Sequence, residues 1–244
     1  MSTVRLGNVT MAELGKLRTL PATTLTVIGA ILSGIVITVV LTAAAADQGA
    51  RASAIGITLQ AVPFAQAWFV LLGVLPATHE YAGRQFRTSL TSVPDRGLLV
   101  TGKTVAALLV VAASAAVGIG TSLAAATITR HLTDAPPAAH DGGPWPLAGA
   151  AACLTLIGLL SHAVALLVRH LVPALAGTLS LVLIVSPVLG GLTEHARWLP
   201  DRAVARLYAD TDAVLTPGTG ALVALGWIVL IGSVAIARFS RRDA

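Results

Sequence analysis

Charge is what this 244-residue sequence has least of. Asp, Glu, Lys and Arg together supply 11% of it, against about 25% in an ordinary globular chain. Too few polar side chains remain to clothe a water-facing surface, which excludes a layout of one or two soluble domains. Aromatics are scarce at 4%, and Cys153 is the single cysteine, so no intramolecular disulfide can form. The six histidines, at 79, 131, 140, 162, 170 and 195, show none of the i, i+4 pairings of a helical metal site. What is present is apolar: 55% of residues.

The few charges are unevenly placed. Residues 19–46, 52–83 (broken at Glu80), 104–129, 142–168, 170–193 and 213–237 are otherwise free of charged side chains. Each holds about 20 apolar residues, enough for a helix to cross a ~30 Å hydrocarbon core. The sequence therefore predicts an all-α polytopic membrane protein with spans near 23–46, 56–78, 104–129, 147–168, 171–192 and 219–237. It leaves no room for a soluble domain. Basic residues favour the cytoplasmic side. With both termini inside, the inner segments carry 11 Lys and Arg against four acids, and the outer ones five against seven. Net charge is +5. Because the bases lie in short loops beside apolar runs, the expected partner is the lipid bilayer and not nucleic acid. Ala43 to Ala46 before Asp47 has the small residues of a signal-cleavage site, but the preceding apolar run exceeds the ~7–15 residues of a signal peptide. The first span is expected to stay uncleaved. Pro187 removes a helix donor and predicts a break in span five near Ser186. Residues 193–218 read as an outer segment with a short interfacial helix, its Trp198 and Tyr208 at headgroup depth.

Two cytoplasmic segments exceed what a connector needs. In residues 1–22, Leu6, Val9, Leu14, Leu17 and Leu20 fall on one arc of a helix ending before Pro21, which fits an interfacial amphipathic helix. Glu13 lies inside that arc, three residues from Lys16. In residues 79–103, Glu80, Arg84 and Arg87 share one helical face, while Phe86, Leu90 and Val93 form an apolar stripe that Pro94 ends. A cytoplasmic helix with a charged and an apolar face is built to pack against another subunit.

Gly97 to Thr104 matches the phosphate-loop pattern letter for letter, with Lys103 at the lysine position. A working loop needs a strand before it and a strand-borne acid beyond the helix. A Pro-Asp-Arg turn precedes this match and a span follows, so the match is rejected. Lys103 reads instead as a boundary residue whose ammonium reaches the headgroups. His162 is ionisable and lies well inside span four, a functional hypothesis by default. With no acid at helical spacing, a structural hydrogen bond to a neighbouring helix is favoured. Gly158 to His162 does not form a nucleophile–base dyad, because adjacent helical residues diverge by about 100°. Gln60, Gln66, Thr178 and Ser180 are candidate pathway residues. Ala30/Gly34, Ser114/Gly118 and Ala176/Ser180 have the spacing for close helix packing.

These segments together resemble the membrane permease subunit of a type-2 ATP-binding-cassette (ABC-2) exporter. The resemblance rests on Glu13-Leu14-Gly15-Lys16-Leu17-Arg18-Thr19 ahead of span one. It rests also on Glu80-Tyr81-Ala82-Gly83-Arg84-Gln85-Phe86-Arg87-Thr88 with Val93-Pro94-Asp95-Arg96 and Lys103 after span two, and on Arg238-Phe239-Ser240-Arg241-Arg242-Asp243 at the end. It covers the whole chain in layout. It implies a bacterial plasma-membrane permease, homodimeric or heterodimeric, docked on a separate ABC ATP-binding subunit that holds the ATP and magnesium. Glu80, Gly83, Arg84, Phe86 and Arg87 would then couple the two, supported by Glu13, Lys16 and Arg18. The chain itself would carry no catalytic, cofactor or metal site. The cargo, drug-like or lipophilic by family habit, stays open. The two-residue link Arg169-His170 and the segment after Pro187 depart from the pattern. The competing expectations are a self-contained channel or carrier without an ATPase partner and, behind it, an intramembrane enzyme using His162.

Overall fold

Proline and glycine punctuate the helices where their backbone chemistry demands. A computed structural model describes residues 2–82, 96–133, 136, 143–209 and 214–241. Helix α1, Ser2–Thr19, stops before Leu20, which is extended (φ −79°, ψ 113°) as a residue preceding proline is biased to be. Helix α2, Pro21–Asp47, starts with that proline in its first turn and closes on Gly49, whose φ of +65° suits the residue after a helix end. Helix α3 is Ala54–Ala82, α4 Arg96–Leu132 and α5 Trp145–Val168. Arg169 takes the left-handed conformation (φ 61°) and His170 is extended, so two residues suffice to turn the chain into α6, Leu171–Ser180.

The expected break at Pro187 takes a different form. A π-helical turn, Leu181–Val185, precedes the proline, and the helix resumes as α7, Ser186–Leu192. A widened turn accommodates the ring that would otherwise press on the carbonyl four residues back, so Leu171–Leu192 still measures as one span. A 3-10 turn, Glu194–Trp198, leads to α8, Pro200–Ala205, and α9 is Pro217–Arg241. Among the described residues, six helices are long and apolar enough to cross a membrane: Pro21–Asp47, Ala54–Thr78, Gly97–Leu132, Trp145–Val168, Leu171–Leu192 and Pro217–Arg238. This is the layout of a multi-pass membrane protein, all-helical among the described residues.

The core sits where α3, α4 and α5 meet. Phe69 and Leu72 of α3, Val111, Ala115 and Ile119 of α4, and Ala150 and Leu154 of α5 bury together with Ala30 of α2. The closest approach is backbone on backbone. A Cβ at Gly73 would run into the Gly158 carbonyl of α5, and one at Gly158 would meet Val111 Cγ1 at 2.6 Å. Helix α2 buries a stripe of small residues at four-residue spacing, Thr26, Ala30, Gly34, Thr38 and Thr42. Without a hydrophobic drive between helices in lipid, small residues let backbones approach closely. Ala30 and Gly34 thus pack inside the subunit, whereas Ala176 and Ser180 are exposed.

The segment after span five, which the sequence predicts to lie in the outer interface, is instead partly embedded in the bundle. Ala203 and Val204 of α8 are buried, Val204 against Val70, Cys153, Ile157 and Ala224, and Tyr208 packs on the same core. The wedge fits because α5 and α9 present glycines to its backbone. A Cβ at Gly149 would strike the Leu207 carbonyl, and one at Gly220 the Ala203 carbonyl.

Candidate functional site

The most polar buried constellation joins α1 to α4. Helix α1 turns Leu6, Val9, Thr10, Glu13 and Leu17 inward, and Thr10, Glu13 and Leu17 are buried. Val9 fits against Gly102, where a Cβ would stand 2.6 Å from its Cγ1. One turn further, Glu13 Oε1 lies 2.5 Å from Lys16 Nζ, and Glu13 Oε2 lies 3.2 Å from Lys103 Nζ. The side chains of Glu13 and Lys103 are each 7% exposed, that of Lys16 45%. Lys103 also donates to the Pro76 carbonyl near the end of α3, at 3.4 Å. One ammonium therefore ties three helices: α1 through a carboxylate, α3 through a carbonyl, and α4 through its own backbone.

This corrects the sequence expectation for Lys103. It does not extend to the headgroups, because a buried acid and a carbonyl lie within reach on the protein side. The Glu13–Lys16 pairing is present as expected, and at this exposure it contributes only ~0.2–0.5 kcal/mol. Glu13–Lys103 differs in kind. Removing two charges from water costs roughly what their attraction returns, so such a pair sets register more than net stability. An acid inside an apolar arc was the sequence signal that a partner was needed. Nothing in the pattern named a lysine 90 positions away. The phosphate-loop match is also resolved, since Gly97 to Thr104 lie in one continuous helix. Their amides are not arranged as a loop, and the lysine is committed to Glu13.

Of the other coupling candidates, Arg18 is exposed on α1. The backbone of Glu80 belongs to the last turn of α3; its side chain, with Gly83, Arg84, Phe86 and Arg87 and the stripe of Phe86, Leu90 and Val93, lies outside the described residues. The pathway candidates are not gathered on one surface. Gln66 and Thr178 are buried, with the Thr178 hydroxyl donating to Ala174 of its own helix at 2.8 Å, while Gln60 and Ser180 are exposed.

His162 is fully enclosed, its Nδ1 3.2 Å from the Gly73 carbonyl oxygen of α3. A carbonyl can only accept, so the proton sits on Nδ1. That is the cross-helix hydrogen bond expected of a structural histidine, placed at the Gly73–Gly158 crossing. Nε2 has no hydrogen-bond partner among the described residues.

At the opposite end, Arg202 Nη2 makes long contacts of 3.4 Å to the carbonyls of Ser186 and Pro187. Trp227 Nε1 donates to the Trp198 carbonyl at 3.0 Å. Burial pushes the Asp201 carboxyl above its ordinary range, against the opposing pull of the Ser186 hydroxyl and Arg202. Compared with known proteins, the chain matches no family model and no curated protein.

Proposed function

We propose that this chain is the permease subunit of an ATP-driven ABC-2-type exporter, moving an unidentified substrate out of the cell with energy from a separate ATP-binding subunit. The observation that carries the reading is the Glu13–Lys103–Pro76 joint. It fastens an amino-terminal helix to the ends of α3 and α4, the two helices that flank residues 83–95. A force applied to α1 or to that connection would reach the bundle core through one rigid unit, which is what a permease without its own motor requires. The six apolar spans supply the membrane part, and the basic residues at this end support its placement in the cytoplasm.

In this reading the partner carries ATP and magnesium, and Glu80, Gly83, Arg84, Phe86 and Arg87 contact it, with Glu13, Lys16 and Arg18 supporting that surface. Two permease copies, alike or different, enclose the pathway. The test is affinity purification of the tagged chain from its native cells in mild detergent. An ATPase subunit should co-purify, and Arg84→Glu or Arg87→Glu should reduce its recovery while the bundle stays folded. Transport by the purified chain alone in liposomes, without ATP, would replace this reading with that of a self-contained carrier.

A further inference from the structure

The end of the bundle away from α1 is stopped by the short helix α8, and the core beneath it holds the single cysteine. Cys153 of α5 is fully buried and packs with Val204 of α8, Val70, Ile157 and Ala224. Two buried polar side chains stand at the edge of this apolar seal, Asp201 of α8 at 6% exposure and Ser186 of α7 at 0%.

The joint between these two side chains is poorly satisfied. The Ser186 hydroxyl lies near enough to Asp201 to favour the carboxylate, yet neither Ser186 Oγ nor Asp201 Oδ1 makes a well-formed hydrogen bond among the described residues. Arg202, the next residue, is turned away onto α7. Its guanidinium lies over Gly190, with Nη2 3.4 Å from the Ser186 and Pro187 carbonyls, long contacts that are readily exchanged. A buried carboxylate without close partners is costly, whereas the neutral acid is not. Burial accordingly raises the Asp201 pKa, against the pull of Ser186, the opening amides of α8 and the Arg202 charge.

The ionisable groups on the elements packed around α8 are few. Helix α5 brings the Cys153 thiol and, nine residues on, His162. The 3-10 turn brings Glu194, His195 and Arg197, and Glu194 pairs with Arg197 at 2.7 Å. Arg206 and Tyr208 follow α8 in its own segment. Helix α7 and residues 217–237 of α9 carry no ionisable side chain. Asp201 is thus the acid placed inside the seal.

We infer that α8 is a proton-sensitive stopper: a neutral Asp201 lets it close over Cys153, and ionisation of that carboxyl releases it. The lever is solvation. A carboxylate at this depth regains water only when α8 lifts, and it also competes with the Ser186 and Pro187 carbonyls for the Arg202 guanidinium. Both changes loosen the same joint. The closed form binds the proton more tightly than the open one. Closure is therefore strongest below the ordinary carboxylate range and weakens as pH rises through the raised value. The device does not depend on the transport reading and would serve a carrier as well.

The test uses Cys153 as its own reporter. The full chain in nanodiscs is labelled with a membrane-impermeant maleimide between about pH 5 and about pH 8. Thiol reactivity itself rises with pH, so the quantity read at each pH is the parent's rate divided by that of Asp201→Asn. This ratio should climb about threefold across the range. Ser186→Ala removes a donor to the carboxylate, so its rate relative to the parent should also rise with pH, a second readout that does not need Asp201→Asn to fold. His195→Gln should leave the climb unchanged. Gly220→Ala, which disturbs α8 by packing, should raise labelling at every pH without altering the climb. A flat ratio, or a climb that His195→Gln abolishes, would overturn the proposal. So would labelling that Gly220→Ala does not raise, because α8 would then not be what covers Cys153.

Discussion

The two ends of the bundle are closed by opposite means. At the α1 end a helix is held by charge: Glu13 meets Lys16 and Lys103, and Lys103 reaches the Pro76 carbonyl. At the α8 end a shorter helix is held by shape: Ala203 and Val204 are buried, and the Gly149 and Gly220 backbones lie directly against the Leu207 and Ala203 carbonyls. A charge pair that barely repays its desolvation can be broken when another partner competes for one member, and it then reforms. A backbone contact through glycine has no alternative partner and tolerates no added atom. The α1 end is therefore built as a joint and the α8 end as a plug.

The largest effect should come from breaking the joint on one side. Glu13→Leu removes the buried carboxylate that faces the Lys103 ammonium, a change of about 3–5 kcal/mol for breaking one side of a buried charge pair. The loss should appear locally, as faster amide hydrogen exchange over α1 with the core of α3 and α5 still protected. Adding Lys103→Met should restore most of the protection, because both charges are then gone. A double variant no better than the single one would show that α1 is held by Leu6, Val9 and Leu17 instead.

The plug should respond differently. Gly149→Ala and Gly220→Ala each force an atom into a carbonyl, an overpacking cost of about 1–3 kcal/mol, read as a lower unfolding midpoint in detergent. Gly120→Ala is the matched control, since a Cβ there meets nothing. It should be neutral or stabilising by up to ~1 kcal/mol, as expected for removing a helical glycine. Equal losses in all three would mean that the approach of α8 is not what these glycines serve.

The contrast between the ends also separates what the sequence disclosed from what it withheld. The spans were legible because a charge-free run of about 20 residues admits one solution in lipid, and the observed helices extend the expected ones by only a few residues at most ends. The end of α1 was legible from Pro21. The joint was half legible: Glu13 stood out on an apolar arc, but Lys103, just inside a span and 90 residues away, carried no local sign of its target. In sequence the plug has the composition of a surface helix, because Arg202, Arg206 and Asp201 make it polar. Burial of Ala203 and Val204 depends on glycines in α5 and α9 that no local pattern connects to it. At Pro187 the missing donor predicts a break, and a π turn absorbs the proline instead. The coupling surface around Arg84 and Arg87 rests on sequence alone.

A smaller effect is expected where the plug meets α9. Trp227→Phe keeps an aromatic side chain but removes the indole N–H that donates to the Trp198 carbonyl, worth about 0.5–1.5 kcal/mol for the hydrogen bond itself. Because the pair spans the 3-10 turn and α9, exchange should quicken over Glu194–Trp198 while α1 is unaffected. Quickening over α1 instead would deny that the ends are independent.

The smallest effect, and the one that tests the plug by pH, concerns Asp201. Burial raises its carboxyl pKa, so the folded chain binds this proton more tightly than the unfolded one. Between the ordinary carboxylate range and the raised value the native state therefore holds the extra proton. Stability is greatest below that window, falls as pH rises through it, and is flat above it. Asp201→Asn keeps the shape and cannot ionise, so its unfolding midpoint should lose that part of the slope while matching or exceeding the parent at neutral pH. Gly149→Ala, which lowers the midpoint by packing, should keep the slope. If Asp201→Asn retains the full acid-side slope, the titrating group is elsewhere, and the polar residues of α8 contribute to the plug through contacts alone.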